Sequence, residues 1–194
     1  MKPEYADDIR RAVEVLRRGG LIVYPTDTVW GIGCDATSPE AVRKVFSLKR
    51  RADAKALITL VGSEGQLERT VAEVPEVAWQ LIEYAGKPIT IVYDSPSAAA
   101  GLAPELQAPD GSIGVRLTRE EFSAALCRAF GRPLVSTSAN VSGEPTPMCF
   151  ARISSDIIDG ADYVCESRRD EAPATAASTV MRLSAGGLFK ILRP

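Results

Sequence analysis

The sequence predicts an α/β fold: a single domain over residues 1–194, built on a twisted mixed parallel and antiparallel sheet flanked by helices. Strand-like and helix-like segments alternate from one end of the chain to the other, which is typical of this class. Hydrophobic residues make up 45% and charged residues 25%, as in an ordinary globular protein. A chain of 194 residues can bury roughly 70% of the surface that its unfolded form exposes. We expect parallel pairing where helices intervene and antiparallel pairing near the C-terminus.

Helical spacing of apolar residues, together with capping signals, predicts the helices. The first opens at Pro3 and ends at Gly19, and the second begins with Ser38 as its N-cap and Pro39 in the first turn. Thr118 resembles the N-cap of a later helix, and three further helical stretches are expected. Those three stretches cover residues 64–72, 75–85 and, weakly, 150–160.

Short apolar runs predict the strands. In chain order they cover 21–24, 56–61, 89–93, 112–117, 133–135, 163–165, 178–183 and 188–192. Residues 95–111 are rich in alanine, proline and glycine and are expected to form a long loop. After residue 117, Thr118 and Glu121 have the spacing of a capping box, and Gly131 would end the helix that it opens.

The absence of histidine excludes several kinds of active site. Ser-His-Asp and Cys-His nucleophile systems, histidine-held zinc and a histidine general base cannot exist in this chain. Its four cysteines have irregular spacings and form no CxxC pair, so we expect reduced, buried thiols. A net charge of -2 argues against a uniformly basic nucleic-acid binder. The charged N-terminus and the lack of a long apolar run indicate a cytoplasmic protein.

A run of cations lies in the middle of this otherwise acidic sequence. It comprises Arg43, Lys44, Lys49, Arg50, Arg51 and Lys55. A solvated helix face is the ordinary explanation of such a run. However, helical spacing continues the apolar positions of the helix onto Lys49, and the run leads into a buried strand. Cations beside a core need an anionic partner, and a polyphosphate would suit the forked guanidinium groups.

Polar residues follow two of the predicted strands. Residues 25–28, PTDT, lie where open α/β sheets bind ligands, although a proline-initiated turn would also explain them. Residues 136–143, STSANVSG, offer four hydroxyls, an amide and a glycine. That segment suits a phosphate or carboxylate cradle, or it is a plain polar loop. Arg116 lies within an apolar strand with no acid beside it in the sequence, so it needs an anion or several carbonyls.

Two common nucleotide-binding motifs do not apply. The chain has no G-x-x-x-x-G-K-[ST] segment, which excludes an ordinary P-loop enzyme. Residues 31–36 fit a relaxed G-x-G-x-x-A pattern, but six residues separate them from the preceding strand and the next helix begins only at Ser38. A dinucleotide fingerprint needs strand, glycines and helix in immediate succession.

Taken together, the polar and basic segments resemble the YrdC-like family, the L-threonylcarbamoyladenylate synthases, in its short form. The matching blocks are YPTDTVWGIG at 24–33, KRRADAKAL at 49–57, GVR at 114–116, STSANVSG at 136–143, STV at 178–180 and ILR at 191–193. They cover almost the whole chain in the order of the family. Many members also carry a histidine near Leu60 that helps to bind threonine, and this chain has none.

The resemblance implies a nucleotidyltransferase that forms threonylcarbamoyl-AMP and pyrophosphate from L-threonine, bicarbonate and ATP, with Mg2+ carried by the ATP phosphates. Partner proteins would transfer the threonylcarbamoyl group to tRNA. The threonine-binding residues would be Thr28, Arg116, Ser136 and Ser178. The ATP-binding residues would be Lys49, Arg51, Lys55, Ser112, Ser138, Asn140, Thr146 and Arg193, with charge stabilisation by Lys49 and Arg51.

No covalent enzyme intermediate is needed for this reaction, so the lack of histidine is no obstacle. Catalysis would consist of positioning and charge neutralisation by lysine, arginine and Mg2+, and Asp27 would either orient a metal-bound water or stabilise its turn. The alternative is a binding module that uses the basic concave face implied by the family for double-stranded RNA or tRNA, without turnover. The acidic composition and the absence of an RNA-recognition motif count against it.

Overall fold

Helices and strands alternate along the chain in the computed structural model, which describes residues 2–50, 57–172, 178–183 and 189–193. The helices are α1 (Ala6–Arg17), α2 (Pro39–Leu48), α3 (Glu64–Thr70), α4 (Glu76–Tyr84), α5 (Glu121–Phe130) and α6 (Ser155–Asp159). The strands are β1 (Ile22–Tyr24), β2 (Gly31–Gly33), β3 (Ile58–Val61), β4 (Ile89–Tyr93), β5 (Ile113–Leu117), β6 (Leu134–Ser138), β7 (Tyr163–Val164), β8 (Thr179–Leu183) and β9 (Phe189–Arg193). None of the helices in these ranges has the length and hydropathy needed to cross a membrane.

The described strands form one mixed sheet in the order β7-β1-β2-β6-β3-β5-β4-β8-β9, which confirms the predicted fold class. Parallel pairs join β1 to β7, β3 to β5 and β4 to β8, and the other neighbours are antiparallel. The antiparallel pairing expected near the C-terminus is confirmed by β8 and β9. The expectation of parallel pairing wherever helices intervene was wrong, because β6 pairs antiparallel with both β2 and β3. Although α5 connects β5 to β6, these strands are not neighbours: β3 lies between them.

Strand β2 was not predicted, because its sequence is Gly-Ile-Gly and glycine is unfavourable in strands. The structure explains why glycine is needed there. A Cβ on Gly33 would lie 2.8 Å from Cε1 of Tyr24 and 3.2 Å from the carbonyl oxygen of Val135. Both neighbours lie on adjacent strands, so the absence of a side chain lets β2 fit between β1 and β6. The segment 31–36 is therefore strand and turn, not a nucleotide-binding loop.

Helix ends follow the local sequence at α2 but not at α5. Ser38 caps α2 as predicted, since its Oγ accepts the amide hydrogen of Ala41 at 3.3 Å. The predicted capping box at Thr118 was wrong. The N-cap of α5 is Glu120, whose carboxylate accepts the backbone amides of residues 122 and 123 at 2.8 Å each. Gly131 ends the helix as predicted, with a φ of 81°.

Two predicted segments have more structure than expected. Strand β6 continues through Ser136–Ser138, so the first hydroxyls of the polar segment belong to the sheet. The expected long loop contains two 3-10 turns, Ala98–Ala100 and Pro104–Leu106. Leu106 is fully buried, and the amide of Ala103 donates to the carbonyl of Ala36 at 2.9 Å. The segment is therefore packed against the rest of the chain.

Alternation along the strands separates a polar face of the sheet from an apolar one. Because cross-strand partners lie on the same side, the Val92 side chain lies on the face where Gly114 leaves space, and the side chains of Thr90 and Val180 share that face. The lining of two adjoining cavities comes largely from such positions: Gly114 and Arg116 of β5, Ser136 and Ser138 of β6, Thr90 and Val92 of β4, and Val180 and Arg182 of β8. The intervening residues on β3 to β6, such as Val115 and Val135, are buried in the core.

Candidate functional site

A cavity of about 260 Å³ brings together residues that lie far apart in the sequence. Its lining includes all four residues expected to bind threonine: Thr28, Arg116, Ser136 and Ser178. It also includes three of those expected to bind ATP: Ser138, Thr146 and Arg193. These residues come from the turn after β1, from β5, from β6 and the segment after it, from the position directly before β8, and from β9. The cavity is thus formed where distant segments meet on the polar face of the sheet.

Arg116 is the buried cation of this cavity. Its side chain is 4% exposed, and its Nη2 lies 3.2 Å from Oδ1 of Asp27, whose side chain is 14% exposed. Its Nη1 donates to Oγ1 of Thr28 at 3.3 Å. The sequence places no acid next to Arg116, but the turn after β1 supplies one in space. Burying a guanidinium requires such a partner, and this one holds Arg116 in the cavity wall.

The turn that carries Thr28 is fixed by hydrogen bonds of Thr26. The Thr26 hydroxyl donates to the carbonyl of Val29 at 2.7 Å and accepts the amide hydrogen of Thr28 at 3.1 Å. It also contacts the Thr28 hydroxyl at 3.1 Å. From outside the turn, Nη1 of Arg168 donates to the Thr26 carbonyl at 3.2 Å. These contacts hold the turn beside Arg116.

Ser178 and Arg193 form a second group of polar contacts in the lining of the cavity. Nη2 of Arg193 donates to the carbonyl and to the hydroxyl of Ser178, at 2.8 and 3.2 Å. The Ser178 hydroxyl also lies 3.0 Å from Oγ1 of Thr90 on β4. Ser178 and Thr90 are both buried, so this pair is shielded from solvent. The Arg193 guanidinium and the hydroxyls of Ser178 and Thr90 therefore lie together in one hydrogen-bonded group.

Lys49 lies beneath the polar segment that follows β6. It is 3% exposed, as the helical spacing predicted. Its ammonium donates to the carbonyls of Ser138 and Asn140 at 2.5 and 2.7 Å, and its own carbonyl accepts the amide of Ser142 at 2.9 Å. The Asn140 side-chain amide donates to the carbonyls of Val141 and Glu144. Lys49 and Asn140 therefore both order the segment that lines the cavity.

Among the described cations of the run, Lys49 is buried and the other three are exposed. Three of its members, Arg43, Lys44 and Arg50, are solvent-exposed and pair with Glu105, Glu40 and Asp156 respectively. For these members, the solvated-face explanation is correct. Arg51 and Lys55, expected to bind ATP, lie outside the described residues.

A second cavity of about 560 Å³ adjoins the first. Leu57, Ile58 and Arg193 line both cavities, so the two spaces meet at these residues. Ser112, expected to bind ATP, lines only the second, and its hydroxyl donates to Asp110 at 2.6 Å. That hydrogen bond, together with one from Arg182, holds the pKa of Asp110 well below its usual value.

Sequence reasoning missed three residues of this site. Thr90 was taken only as part of a strand, although a threonine at an inward position of an apolar run is a signal for a buried polar contact. Asp110 and Arg168 lie in segments without a recognisable motif. Their long-range partners, Arg182 and Thr26, are 72 and 142 residues away, so no local pattern could have revealed those two contacts.

Comparisons with known proteins place the chain in a family. Residues 14–194 match the Sua5/YciO/YrdC family, described as "Telomere recombination". The chain is 39% identical over 152 residues to a protein of Chromohalobacter salexigens named threonylcarbamoyl-AMP synthase, covering 77% of this chain and 80% of that one. It is 35% identical over 187 residues to a protein of the same name from Xanthomonas euvesicatoria, covering 96% and 97%.

Solved structures show the same fold. The structure of P. abyssi Sua5 complexed with L-threonine superposes with a TM-score of 0.83 at 29% identity, covering 96% of this chain and 53% of that one. The chain thus spans about half the length of that Sua5. E. coli YciO superposes with a TM-score of 0.78 at 23% identity, covering 95% and 87%, which supports the fold alone. The match over residues 14–194, and relatives similar over almost their whole length, establish that this chain belongs to the Sua5/YciO/YrdC family.

Proposed function

We propose that this protein is a threonylcarbamoyl-AMP synthase, which makes threonylcarbamoyl-AMP and pyrophosphate from L-threonine, bicarbonate and ATP. One observation carries the proposal: a single cavity gathers a buried guanidinium, Arg116, with the hydroxyls of Thr28, Ser136 and Ser178. Such a set suits a small zwitterion that carries a carboxylate, an amine and a hydroxyl. The relatives named for this activity, and a Sua5 solved with L-threonine, support the same assignment.

The chemistry requires two bond-forming steps. The neutral amine of threonine attacks CO2 derived from bicarbonate, giving an N-carboxylate and releasing one proton. An oxygen of that carbamate then attacks the α-phosphorus of ATP, and pyrophosphate leaves with the electron pair of the broken P–O bond. Neither step needs a covalent bond to the protein, so the protein contributes positioning and charge stabilisation.

The two adjoining cavities suit a reaction in which threonine and ATP bind side by side. Arg116 would hold the threonine carboxylate in the smaller cavity, and ATP would lie with one end in the larger cavity, near Ser112. Arg193 lines both spaces and would lie where the carbamate meets the α-phosphate. Lys49 would act by ordering the segment that contains Ser138 and Asn140. Arg51 and Lys55 would bind the phosphates of ATP, as the sequence motif predicts.

Mg2+ would accompany ATP, bound through the phosphates. The described residues contain no group of three potential acidic or cysteine ligands. Asp27 forms an ion pair with Arg116 at 3.2 Å. When bound, the ion would neutralise charge on the phosphates. Partner proteins that transfer the threonylcarbamoyl group to tRNA would follow this step.

Pyrophosphate release tests the proposal against the binding-module alternative. The full chain is incubated with ATP and Mg2+, with and without L-threonine and bicarbonate, and the product is identified by mass spectrometry. We expect release that depends on both threonine and bicarbonate, and a mass corresponding to threonylcarbamoyl-AMP. An Arg43→Ala variant, which changes an exposed residue outside both cavities, serves as the control. RNA retention with no pyrophosphate release from folded protein would refute the synthase assignment.

A further inference from the structure

Arg168 has a strained backbone in a part of the chain that carries no motif. Among the described residues, two that are not glycine have a positive φ: Arg50 at 49° and Arg168 at 65°. This conformation is costly for a residue with a Cβ and persists where the surroundings enforce it. The Arg50 side chain is 69% exposed and pairs with Asp156 on the surface, whereas the Arg168 side chain is 17% exposed. The contacts of a largely buried guanidinium therefore accompany the strain at Arg168.

That guanidinium joins three segments of the chain. Its Nη1 donates to the carbonyl of Thr26, in the turn after β1, at 3.2 Å and lies 3.0 Å from Oε1 of Glu120. Its Nε and Nη2 contact the carboxylate of Glu171 at 2.7 and 2.6 Å. Glu120 is the N-cap of α5, so one of these contacts ties the turn to the end of a helix. A planar fork of donors can satisfy acceptors in these three directions, which a lysine ammonium on a flexible stem does less well.

The backbone that carries Arg168 is itself held in place. Asp8 of α1, which is 6% exposed, accepts the amides of Glu166 and Ser167 at 3.0 and 2.7 Å. The other oxygen of its carboxylate accepts the hydroxyl of Tyr163 at 2.7 Å. Because the two residues before Arg168 are fixed to a helix, the guanidinium reaches the turn from a rigid base.

The next residue supports the other end of the same turn. The guanidinium of Arg169 lies 4.6 Å from the centre of the Phe150 ring, which in turn packs on the ring of Trp30 at 4.9 Å. Trp30 is 7% exposed, and its carbonyl accepts the amide of Ala139 at 2.9 Å. Two consecutive arginines therefore hold the turn at Thr26 and, through one ring, at Trp30.

Arg168 can affect the site only through this turn, because it lines neither of the two cavities. Thr26, Thr28 and Val29 of the turn line the smaller cavity. If the turn lost its anchor, only a fraction of the molecules would hold it in the binding-competent position. The apparent dissociation constant of a ligand would then rise by the inverse of that fraction.

We propose that Arg168 is a positioning residue, which holds the turn after β1 in order before the amino acid binds. This inference rests on the proposed function, because it takes the ligand of the smaller cavity to be an amino acid. The unfavourable φ of Arg168 is then the energetic cost of bringing a guanidinium to the Thr26 carbonyl.

Paired substitutions separate the guanidinium from the backbone strain. Arg168→Gly and Arg168→Ala both remove the guanidinium, but glycine accepts a positive φ and alanine does not. Arg50→Gly and Arg50→Ala are the matched controls, because Arg50 has the same strain at an exposed position that lines neither cavity. In each pair, we expect the alanine variant to have an unfolding equilibrium constant about 5- to 30-fold larger than that of the glycine variant, measured by urea denaturation.

Binding of L-threonine to the full chain is then measured by calorimetry. We expect both Arg168 variants to weaken threonine binding to the same extent, by about 10-fold, although they differ in stability. The dissociation constant of ATP should change by less than about 3-fold, and the Arg50 variants should bind threonine as the unaltered chain does. In pyrophosphate release, the KM for threonine should rise by about the same 10-fold while kcat is largely retained, because saturating threonine selects the ordered turn.

Tryptophan fluorescence reports on the turn without any ligand. Trp30 and Trp79 are the two tryptophans of the chain, so Trp79→Phe leaves the indole of Trp30 as the only one. In that background, we expect Arg168→Gly to increase the quenching of Trp30 by acrylamide, because an unanchored turn exposes the ring more often. Arg50→Gly should leave the quenching unchanged.

Several results would overturn the proposal. Threonine binding by Arg168→Gly at the affinity of the unaltered chain would show that the guanidinium has no positioning role, and so would unchanged quenching of Trp30. Equal weakening of threonine and ATP would indicate a general effect on the fold. If Arg168→Gly increases the quenching but the unaltered chain neither binds threonine nor releases pyrophosphate, the proposed synthase activity fails while the anchoring of the turn by Arg168 stands.

Discussion

Substitution of Arg116 should separate threonine binding from ATP binding. The side chain is 4% exposed and lies 3.2 Å from an Asp27 that is 14% exposed. Removing a charge-assisted contact to the ligand carboxylate costs on the order of 2–4 kcal/mol, or roughly 30- to 1000-fold in affinity. We therefore expect Arg116→Met to raise the threonine dissociation constant by that factor, while that of ATP changes by less than about 3-fold.

The same substitution also affects stability, because it leaves Asp27 without its partner. Breaking one side of a buried ion pair costs about 3–5 kcal/mol. The double variant Arg116→Met with Asp27→Leu removes both charges, and we expect it to recover most of that free energy of unfolding while threonine binding stays weak. Urea denaturation measures the stability, and calorimetry measures both ligand affinities. Equal loss of threonine and ATP binding in the stable double variant would refute the assignment of Arg116 to the threonine carboxylate.

Three further predictions follow from the site and its packing. Arg51→Ala should weaken ATP binding in a nucleotide-displacement assay, whereas Arg43→Ala, whose partner Glu105 makes it an exposed ion pair, should not; equal affinities would mean that the whole run is a solvated face. Gly33→Ala should lower the free energy of unfolding, measured by chemical denaturation, by about 1–3 kcal/mol, because the added Cβ would lie 2.8 Å from Tyr24. The control Gly86→Ala, where no atom lies within 4 Å of the added Cβ, should be near neutral or stabilising. Similar effects of the two substitutions would contradict the packing at Gly33. Pyrophosphate release should fall from threonine to serine by about 10-fold and to valine by up to about 10⁴-fold, since valine leaves the cavity hydroxyls unpaired; equal turnover with serine and valine would mean that the cavity recognises shape alone.

The sequence predicted the parts of the site that depend on local patterns. Ser38 and Pro39 mark the start of α2, and helical spacing from there carries Lys49 toward the core, where the structure places it. The family motifs identified most residues of the smaller cavity, because those motifs lie on strands of the sheet or directly beside them. Seven of the twelve residues expected to bind substrates line that cavity.

The remaining features depend on contacts between distant segments. Arg116 was predicted to need an anion, but the anion within the protein is Asp27, which is 89 residues away. Thr118 had the spacing of an N-cap, yet Glu120 takes that position, and its carboxylate also pairs with Arg168 at 3.0 Å. Strand β2 was missed because glycines are typical of loops. The reason for glycine at position 33 becomes clear only in the fold, where Tyr24 of the neighbouring strand leaves no space for a side chain. Propensity is a weak guide where tertiary packing decides.

The turn after β1 is anchored by Arg168, a residue that lies in no motif. This contact is relevant to how a site without histidine can be selective. Arg168 has a φ of 65°, a conformation that is costly for a residue with a side chain and persists where its surroundings enforce it. Here the surroundings are Glu171, Glu120 and the Thr26 carbonyl, all within hydrogen-bond or ion-pair distance of its guanidinium. A hydroxyl rotates freely in water, so it discriminates donors from acceptors only if its neighbours fix its hydrogen. Arg168 donates to the Thr26 carbonyl, and the Thr26 hydroxyl contacts that of Thr28, so a residue outside every motif helps to position a hydroxyl of the cavity.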